Sequence, residues 1–589
     1  MVAAPVLFAL FQAVLPNPIP EDSADALRRA ARSAERQYES IIRRLAPVRH
    51  GGGGGDRCDE IVGRFCLIYD GGTPPPAAPP PPRVVRARQN VVEALRRAFA
   101  ARPGELETAG PLLRYLIEDE RAEEALSAAR TFAWATGDTI WGLLLLGYAH
   151  HAAGEDSLAE LRFDEALARM SAEERRGFED IEVFLSGDER GVYRDLEPEP
   201  RTAYEAQFWI LADPLYLLAG NERRAEHFAR HVWSRLLSET PRVRGMHRWG
   251  RDLEELTLRY GVPTSRERIL SWSLLAEESF VEHYHPEQLA YLPEALRTRG
   301  LPPTPPPGEE SPLERERSRS GYAPRVIRRM IPLAHQLTRF PAGDSVALYI
   351  HGHLPLDSLA TGHSTVDAAL FLLDSRYARF REARTTARVE RDTAGASFAL
   401  RLPPGAYVYS LELFEPETRL AGRSRYALDV PGYPTDGVAL SDPLFAAPYG
   451  RGSLPAGRDD PGLRPLAELT LGADDTVGLY AEAHGLEAGP DASTRYSVRL
   501  VLQRVDQPVL VVRALRWLGR QIGLSSESAA PELSWEGQGR ADHPAILAVD
   551  VPLAEFDPGL YELVLTVADQ VGGSEYTSRR VFRISDSAK

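Results

Sequence analysis

Residues 140–170 read IWGLLLLGYAHHAAGEDSLAELRFDEALARM, and the spacing inside this stretch decides how the first half of the chain folds. Leu146, Gly147, Gly154, Ala159, Phe163 and Ala166 have the spacing of one unit of two antiparallel helices. Small residues let the two helices approach closely, and Phe163 fills the space left between them. Counting back 34 residues from Ala159 and Phe163 lands on Ala125 and Ala129 in ERAEEALSAAR, and another 34 lands on Val91 and Leu95, followed by Ala98 and Pro103. A period kept twice is the mark of a repeated helical hairpin.

The signature Leu146, Gly147, Ala159, Phe163 and Ala166 resembles a tetratricopeptide repeat, with units at 140–173 and 106–139 and the second helix of an earlier unit before them. What that resemblance implies is docking of a peptide or a neighbouring domain rather than chemistry. A generic bundle of helical hairpins is the competing reading.

Working outward, proline and glycine divide the chain. Five glycines at 51–55 and seven prolines within 74–82 read as a flexible and a semi-rigid linker, and LPPTPPPGEESPLERERSRSGYAP at 301–324 reads as another. After residue 340 the apolar spacing changes from helical to alternating, as in SVALYIHG, ASFALRL and YSVRLVLQ. Two segments there share one device: LPPGAYVYSLELF at 402–414 and FDPGLYELVLTVAD at 556–569 set Pro-Gly before Tyr407 and Tyr561, which open alternating strands. The segment ALRWLGRQIGL at 514–524 has helical spacing instead. Helices first and strands second is the pattern of separate domains, which 589 residues also favour.

The block between the two halves carries a second resemblance. Phe208-Trp209, Asp213-Pro214 and Asn221-Glu222 are followed by HRWGRDLEELTLRYG at 247–261. Read from its residues, Asn221 caps a helix that runs through Glu222, Phe228 and Trp233, and LEELTLRYG forms a short strand closing at Gly261. These residues resemble the GWxTD family: Trp249, Asp252, Arg259, Tyr260 and Gly261 match its motif, and Phe208, Trp209, Asp213, Pro214, Asn221 and Glu222 fit its earlier signature. Arg248 and Arg251 stand where the family has Gly and Thr, which marks a divergent member. The resemblance implies an exported or envelope-associated bacterial protein and carries no established activity with it. From the residues themselves, Asp252 reads as structural, accepting backbone amides or pairing with Arg251 or Arg259, and Trp209, Trp233 and Trp249 read as core aromatics.

The expected architecture is therefore multi-domain: an all-α tetratricopeptide-like N-terminal part, a small α+β GWxTD unit and two C-terminal antiparallel β-sandwiches of immunoglobulin-like architecture. Its segments are a signal or apolar N-terminal helix at 1–20, a helix with the cysteine pair at 22–70, a Pro-rich linker at 71–83, helical repeats at 84–186, the GWxTD-like domain at 195–300, a Pro/charge-rich linker at 301–324, and sandwiches at 340–432 and 465–586.

A formal charge of -15 argues against a nucleic-acid partner, which needs a basic face, and no run of 18 apolar residues offers a transmembrane span. The run MVAAPVLFALFQAVL suits a signal-peptide core, although a basic n-region is missing; export is expected, with a cytoplasmic location as the alternative. Cys58 and Cys66 are the chain's two cysteines. They form either a disulfide, which needs a turn at Gly63 because eight residues of continuous helix hold them too far apart, or two buried thiols, with metal binding as the third reading. His150-His151, His283/His285 and His351/His353 are the histidine pairs. The last could share a metal with His363 on alternate strand positions, but hydrogen-bonded or exposed imidazoles are the expectation, so neither a metal nor a cofactor is assigned. Hydrolase, phosphate-loop and dinucleotide motifs are absent from the sequence.

These readings give a non-enzymatic, multi-domain scaffold with a protein or peptide partner. The alternatives are a hydrolase-like enzyme using Asp252, Arg259 or His351, with its site between the GWxTD unit and the first sandwich, and a carbohydrate-binding surface protein.

Overall fold

The computed structural model describes residues 21–51, 58–68, 79–137, 139–185, 187–238, 247–263, 265–271, 279–284, 301, 303–309, 320–322, 324–356, 365–450, 454–505 and 532–586. They form a helix-rich part followed by a strand-rich part, divided into two compact units. The first unit comprises Met1–Phe184, Gly220–Pro286 and Arg319–Tyr322, and the second comprises Leu185–Ala219, Glu287–Ser318 and Ala323–Lys589. The helices are α1 (Glu21–Leu45), α2 (Pro82–Ala101), α3 (Leu106–Glu118), α4 (Ala122–Thr136), α5 (Ile140–Ala152), α6 (Asp156–Arg169), α7 (Ala172–Glu179), α8 (Gly187–Arg194), α9 (Pro198–Ala212), α10 (Glu222–Ser238) and α11 (Arg251–Tyr260).

In the first unit, α1 to α6 pack each against the next in the chain. The 34-residue period is kept in the helix starts: α3 and α5 begin at Leu106 and Ile140, and α4 and α6 at Ala122 and Asp156. The positions that carry it, Val91, Leu95, Ala125, Ala129, Ala159 and Phe163, are all buried in one core. Gly147 faces Phe163 closely, since a Cβ there would lie 2.6 Å from the Phe163 ring. Helix α10 packs against α3, α5 and α6, and Phe228, Val232, Trp233 and Leu236 join the same core. Strands β1 (Val48–Gly51), β4 (Ser265–Ser271) and β5 (Ser279–His283) make a small sheet in which β1 runs parallel to β4, and β2 (Glu60–Val62) and β3 (Phe65–Leu67) make a separate hairpin.

In the second unit, β6 (Arg329–Pro332), β7 (Ala334–Ala342), β8 (Ser345–Pro355), β9 (Asp367–Leu373), β10 (Arg379–Thr386), β11 (Arg388–Glu390), β12 (Thr393–Leu402), β13 (Gly405–Glu415) and β14 (Leu420–Val430) form two sheets. Their orders are β10-β9-β13-β14-β6 and β11-β12-β8-β7, and both supply one core that includes Leu348, Ile350, Leu370, Leu372, Tyr409 and Leu411. Next come β15 (Ala439–Leu440), β16 (Leu444–Ala446), β17 (Thr470–Gly472), β18 (Thr476–His484), β19 (Ser493–Arg504), β20 (Glu532–Arg540), β21 (Ala545–Pro552), β22 (Gly559–Asp569) and β23 (Glu575–Ser585). They make a second pair of sheets around Leu479, Val498, Leu565, Val567 and Phe582. The shared Pro-Gly-x-Tyr device has one geometry in both places. Tyr407 donates its hydroxyl to Pro403 O (3.0 Å) and Tyr561 to Asp557 O (2.8 Å), so each ring ties the strand start back to the turn before it.

Four expectations change. Residues 251–260 are helix, not strand: acidic Asp252 and Glu254 sit in the first turn, basic Arg259 in the last, and Leu253 and Leu256 lie three apart on the buried face. Gly261 ends the helix at φ +71 with its N–H bonded to Thr257 O. The stretch 195–300 is divided between the units, because α9 and Tyr216 pack on β-sheet side chains whereas α10 packs on helices. The 301–324 stretch does not run free of both units: Leu301 is buried, the Thr304 and Tyr409 hydroxyls lie 2.6 Å apart, and Arg583 Nε donates to Pro307 O, while Ser320, Gly321 and Tyr322 belong to the first unit. The strand-rich regions also start earlier than 340 and 465, since β6 begins at Arg329 and pairs with β14, and β15 and β16 pair with β18. Residues 1–20, 514–524, His285 and His363 lie outside the described residues.

Candidate functional site

The motif helix α11 is held by a cross-linked hairpin. Cys58 and Cys66 are disulfide-bonded with Cα atoms 5.3 Å apart, and the chain reverses at Gly63, whose φ of +53 favours a residue without Cβ. A Cβ on Gly63 would also lie 2.5 Å from Asp252 Cβ, so the turn can seat on the helix start only as glycine. The next residue makes the contact. Arg64 donates from Nε to Asp252 Oδ2 (2.5 Å), from Nη2 to Asp252 Oδ1 (2.7 Å) and from Nη2 to Arg248 O (3.0 Å). These Arg64 bonds pull the Asp252 carboxyl down to about 2, helped by the Leu253 and Arg64 backbone N–H groups. At the other end of the helix the fully buried Arg259 donates to both oxygens of Glu60 (2.9 and 2.7 Å), to Glu255 (3.0 Å) and to the Tyr260 hydroxyl (2.8 Å). Asp252 and Arg259 therefore each face the hairpin. The expected pairing of Asp252 with Arg251 or Arg259 is corrected to Arg64.

Helix α10 is fixed by its cap and by buried polar links. Asn221 Oδ1 accepts from Arg224 N at 2.9 Å, as the sequence led us to expect. His151 on α5 has Nδ1 2.7 Å from Asp156 and Nε2 2.6 Å from Glu226, and Glu226 also accepts from Arg230 Nε (2.6 Å). Arg230 then reaches the carbonyls of Leu258, Arg259 and Gly321, joining α10 to the end of α11. One turn away, burial pushes His227 well down and His231 down to about 3. Trp233 is buried, and Trp249 is half-buried against the helical core rather than inside it.

In the second unit Phe208 and Trp209 are buried with rings edge to face at 4.8 Å. Asp213 and Pro214 offer backbone carbonyls to two buried arginines: Arg423 donates to both (2.8 and 2.5 Å), and Arg425 donates to Asp213 O (3.0 Å) and Leu211 O (2.9 Å). Arg425 also pairs with buried Glu412 at 3.0 Å and lies 3.7 Å from the Tyr216 ring centroid. Burial pushes the Asp213 carboxyl up to about 8 against the pull of Arg425 and Arg423, with Glu412 adding to the rise.

On β8, His351 and His353 share a face, with Nε2 atoms 2.8 Å apart and His351 Nδ1 2.7 Å from Ser397 Oγ on β12. Among the described residues, no group of three or more His, Cys, Asp and Glu side chains gathers as a metal set, and no helix is long and apolar enough to cross a membrane. Arg64, Glu60, Glu226 and Ser397 were not singled out from the sequence. The distance along the chain hides Glu60 and Arg64 from their partners, and only the β8–β12 register brings Ser397 opposite His351.

No family model matches the chain, and no curated protein does. Among solved structures, it is similar to Escherichia coli alpha-2-macroglobulin activated by porcine elastase, at 12% identity over 45% of this chain and 23% of that one, with a TM-score of 0.14. The trypsin-activated Escherichia coli alpha-2-macroglobulin gives 13% identity, 42% and 15% coverage and the same TM-score. The chain thus spans less than a quarter of either protein, and its function is argued from its own residues.

Proposed function

We propose that this chain is a divergent GWxTD protein acting as a non-enzymatic scaffold, in which tetratricopeptide-like repeats hold the motif block and two immunoglobulin-like β-sandwiches carry the rest. The observation that carries the reading is how the motif residues are used: Asp252 and Arg259 spend their charges on Arg64 and Glu60, Asp213 and Pro214 lend their carbonyls to arginines, and Asn221 caps a helix. Groups committed to joining distant stretches of chain are positioned as structure, whereas a general acid or base needs a proton partner on substrate. The matched helix starts 34 residues apart support the repeat reading, and α10 lying on α3, α5 and α6 supports intramolecular docking as the work of the array. Two sheets around each core support the sandwich reading. The disulfide favours an oxidising compartment and so an exported protein.

The test is the Asp252→Asn chain, assayed for thermal stability and for the biological activity of the intact protein together. Parallel loss of both is expected. A variant that melts like the parent yet loses activity would sink the scaffold reading in favour of a hydrolase-like enzyme.

A further inference from the structure

The histidines of β8 make a site that the scaffold reading does not use. Alternate strand residues project to one face, and the register sets His351 opposite Ser397 and His353 opposite Gly395 on β12. The two Nε2 atoms converge to 2.8 Å. Two imidazole nitrogens bound tetrahedrally at about 2.0–2.1 Å stand about 3.3 Å apart, so a metal ion needs an opening of only about half an ångström. The strand opposite leaves room for the rings: a Cβ on Gly395 would lie 2.9 Å from His353 Cδ2 and 3.1 Å from its Nε2. With the His351 Nδ1–H donating to Ser397 Oγ, the Nε2 lone pair of His351 faces His353, whose Nε2–H donates to it across 2.8 Å; a metal ion would replace that hydrogen bond, with the His353 proton moving to Nδ1. Ser397 is solvent-exposed and His353 partly so, which leaves an entry path.

We propose that His351 and His353 bind one divalent transition-metal ion through their Nε2 atoms, with Ser397 positioning His351. Imidazole donors select zinc, copper or nickel over calcium and magnesium, and water fills the remaining positions.

The tag-free full chain, stripped with EDTA, is titrated calorimetrically with Zn²⁺ and with Ni²⁺. One ion per chain is expected, with affinity at least tenfold lower in His351→Gln and in His353→Gln and about tenfold lower in Ser397→Ala. His283→Gln, far along the chain on β5, should leave that affinity unchanged. Zn²⁺ should also shield His351 and His353 of the unaltered chain from diethylpyrocarbonate, read by peptide mass spectrometry, a result that does not depend on any variant folding. Absence of binding, binding that survives both histidine variants, or labelling of both rings unaffected by Zn²⁺ overturns the site; full affinity in Ser397→Ala removes its positioning role.

Discussion

Asp252 is answered from two sides, by the Arg64 guanidinium and by backbone N–H groups, and its removal should be felt at the helix start. Asp252→Asn keeps an acceptor but loses the charge, and Arg64→Ala loses the whole fork. With Arg64 about half exposed, solvent screening limits either change to about 1–2 kcal/mol. A double-mutant cycle by denaturant unfolding should find the two non-additive, and strict additivity would mean that the pair contributes nothing. The pH dependence has a definite sign. A carboxyl held at about 2 stabilises the fold fully above its unfolded value near 4, and that contribution drains away as pH falls from about 4 to about 2. Acid unfolding monitored by circular dichroism should start at higher pH in the parent's Arg64→Ala variant. Trp249 is half-buried, so Trp249→Ala should cost about 1–3 kcal/mol, below the range for a fully enclosed Trp.

Two elements turn on a missing side chain or a covalent link. Gly147 lies against Phe163, so Gly147→Leu should overpack α5 on α6 and cost about 1–3 kcal/mol, read as a lower melting temperature. Gly177 on α7 has nothing near its Cβ position, and Gly177→Ala should be neutral or stabilising by up to about 1 kcal/mol. Equal effects at the two glycines would remove the close approach. Reducing Cys58–Cys66 frees a nine-residue loop in the unfolded chain and should destabilise the first unit by about 2–3 kcal/mol, seen as a lower melting temperature with a dithiol reductant present. These elements also show what the sequence discloses. The 34-residue spacing was legible because tight helix contacts demand small residues at fixed intervals, and a turn at Gly63 followed from the reach of a disulfide. Residues 251–260 misled because Leu256 and Leu258 fit strand alternation, whereas the deciding signals were the charges at each end and Gly261. Partners such as Arg64 and Ser397 stay hidden in a linear reading, since neither spacing nor composition encodes which segment will lie across from them.

At the scale of the whole molecule, the stretch expected to fold as one domain at 195–300 serves two cores instead of forming its own, with 185–219 in one unit and 220–286 in the other. Composition could not show this, because α9 and α10 both carry aromatic residues that suit either a helical or a sheet partner. The division gives the units different responses to pH. In the second unit Asp213 is held near 8, facing Arg425, Glu412, Arg423 and Arg379. A carboxyl raised in this way stabilises the fold when protonated: its contribution is complete below about 4 and is lost as pH rises through about 8. Its sites of opposition are His335 and His351, both held down to about 4 by burial. An imidazole that folds neutral is stable above its unfolded value near 6.5 and becomes a liability as pH falls below it. From pH 8 to 6.5 only Asp213 titrates strongly among the three, and the second unit should gain about 1 kcal/mol per pH unit. Below 6.5 the two histidines outweigh it and stability should decline. Thermal melts of the full chain across this range should therefore show a maximum near 6.5 for the second unit, and Asp213→Asn should erase the rise between 8 and 6.5 while leaving the decline below it. A rise that persists in Asp213→Asn would mean that another group carries it and that the Asp213 carboxyl is ionised in the folded protein.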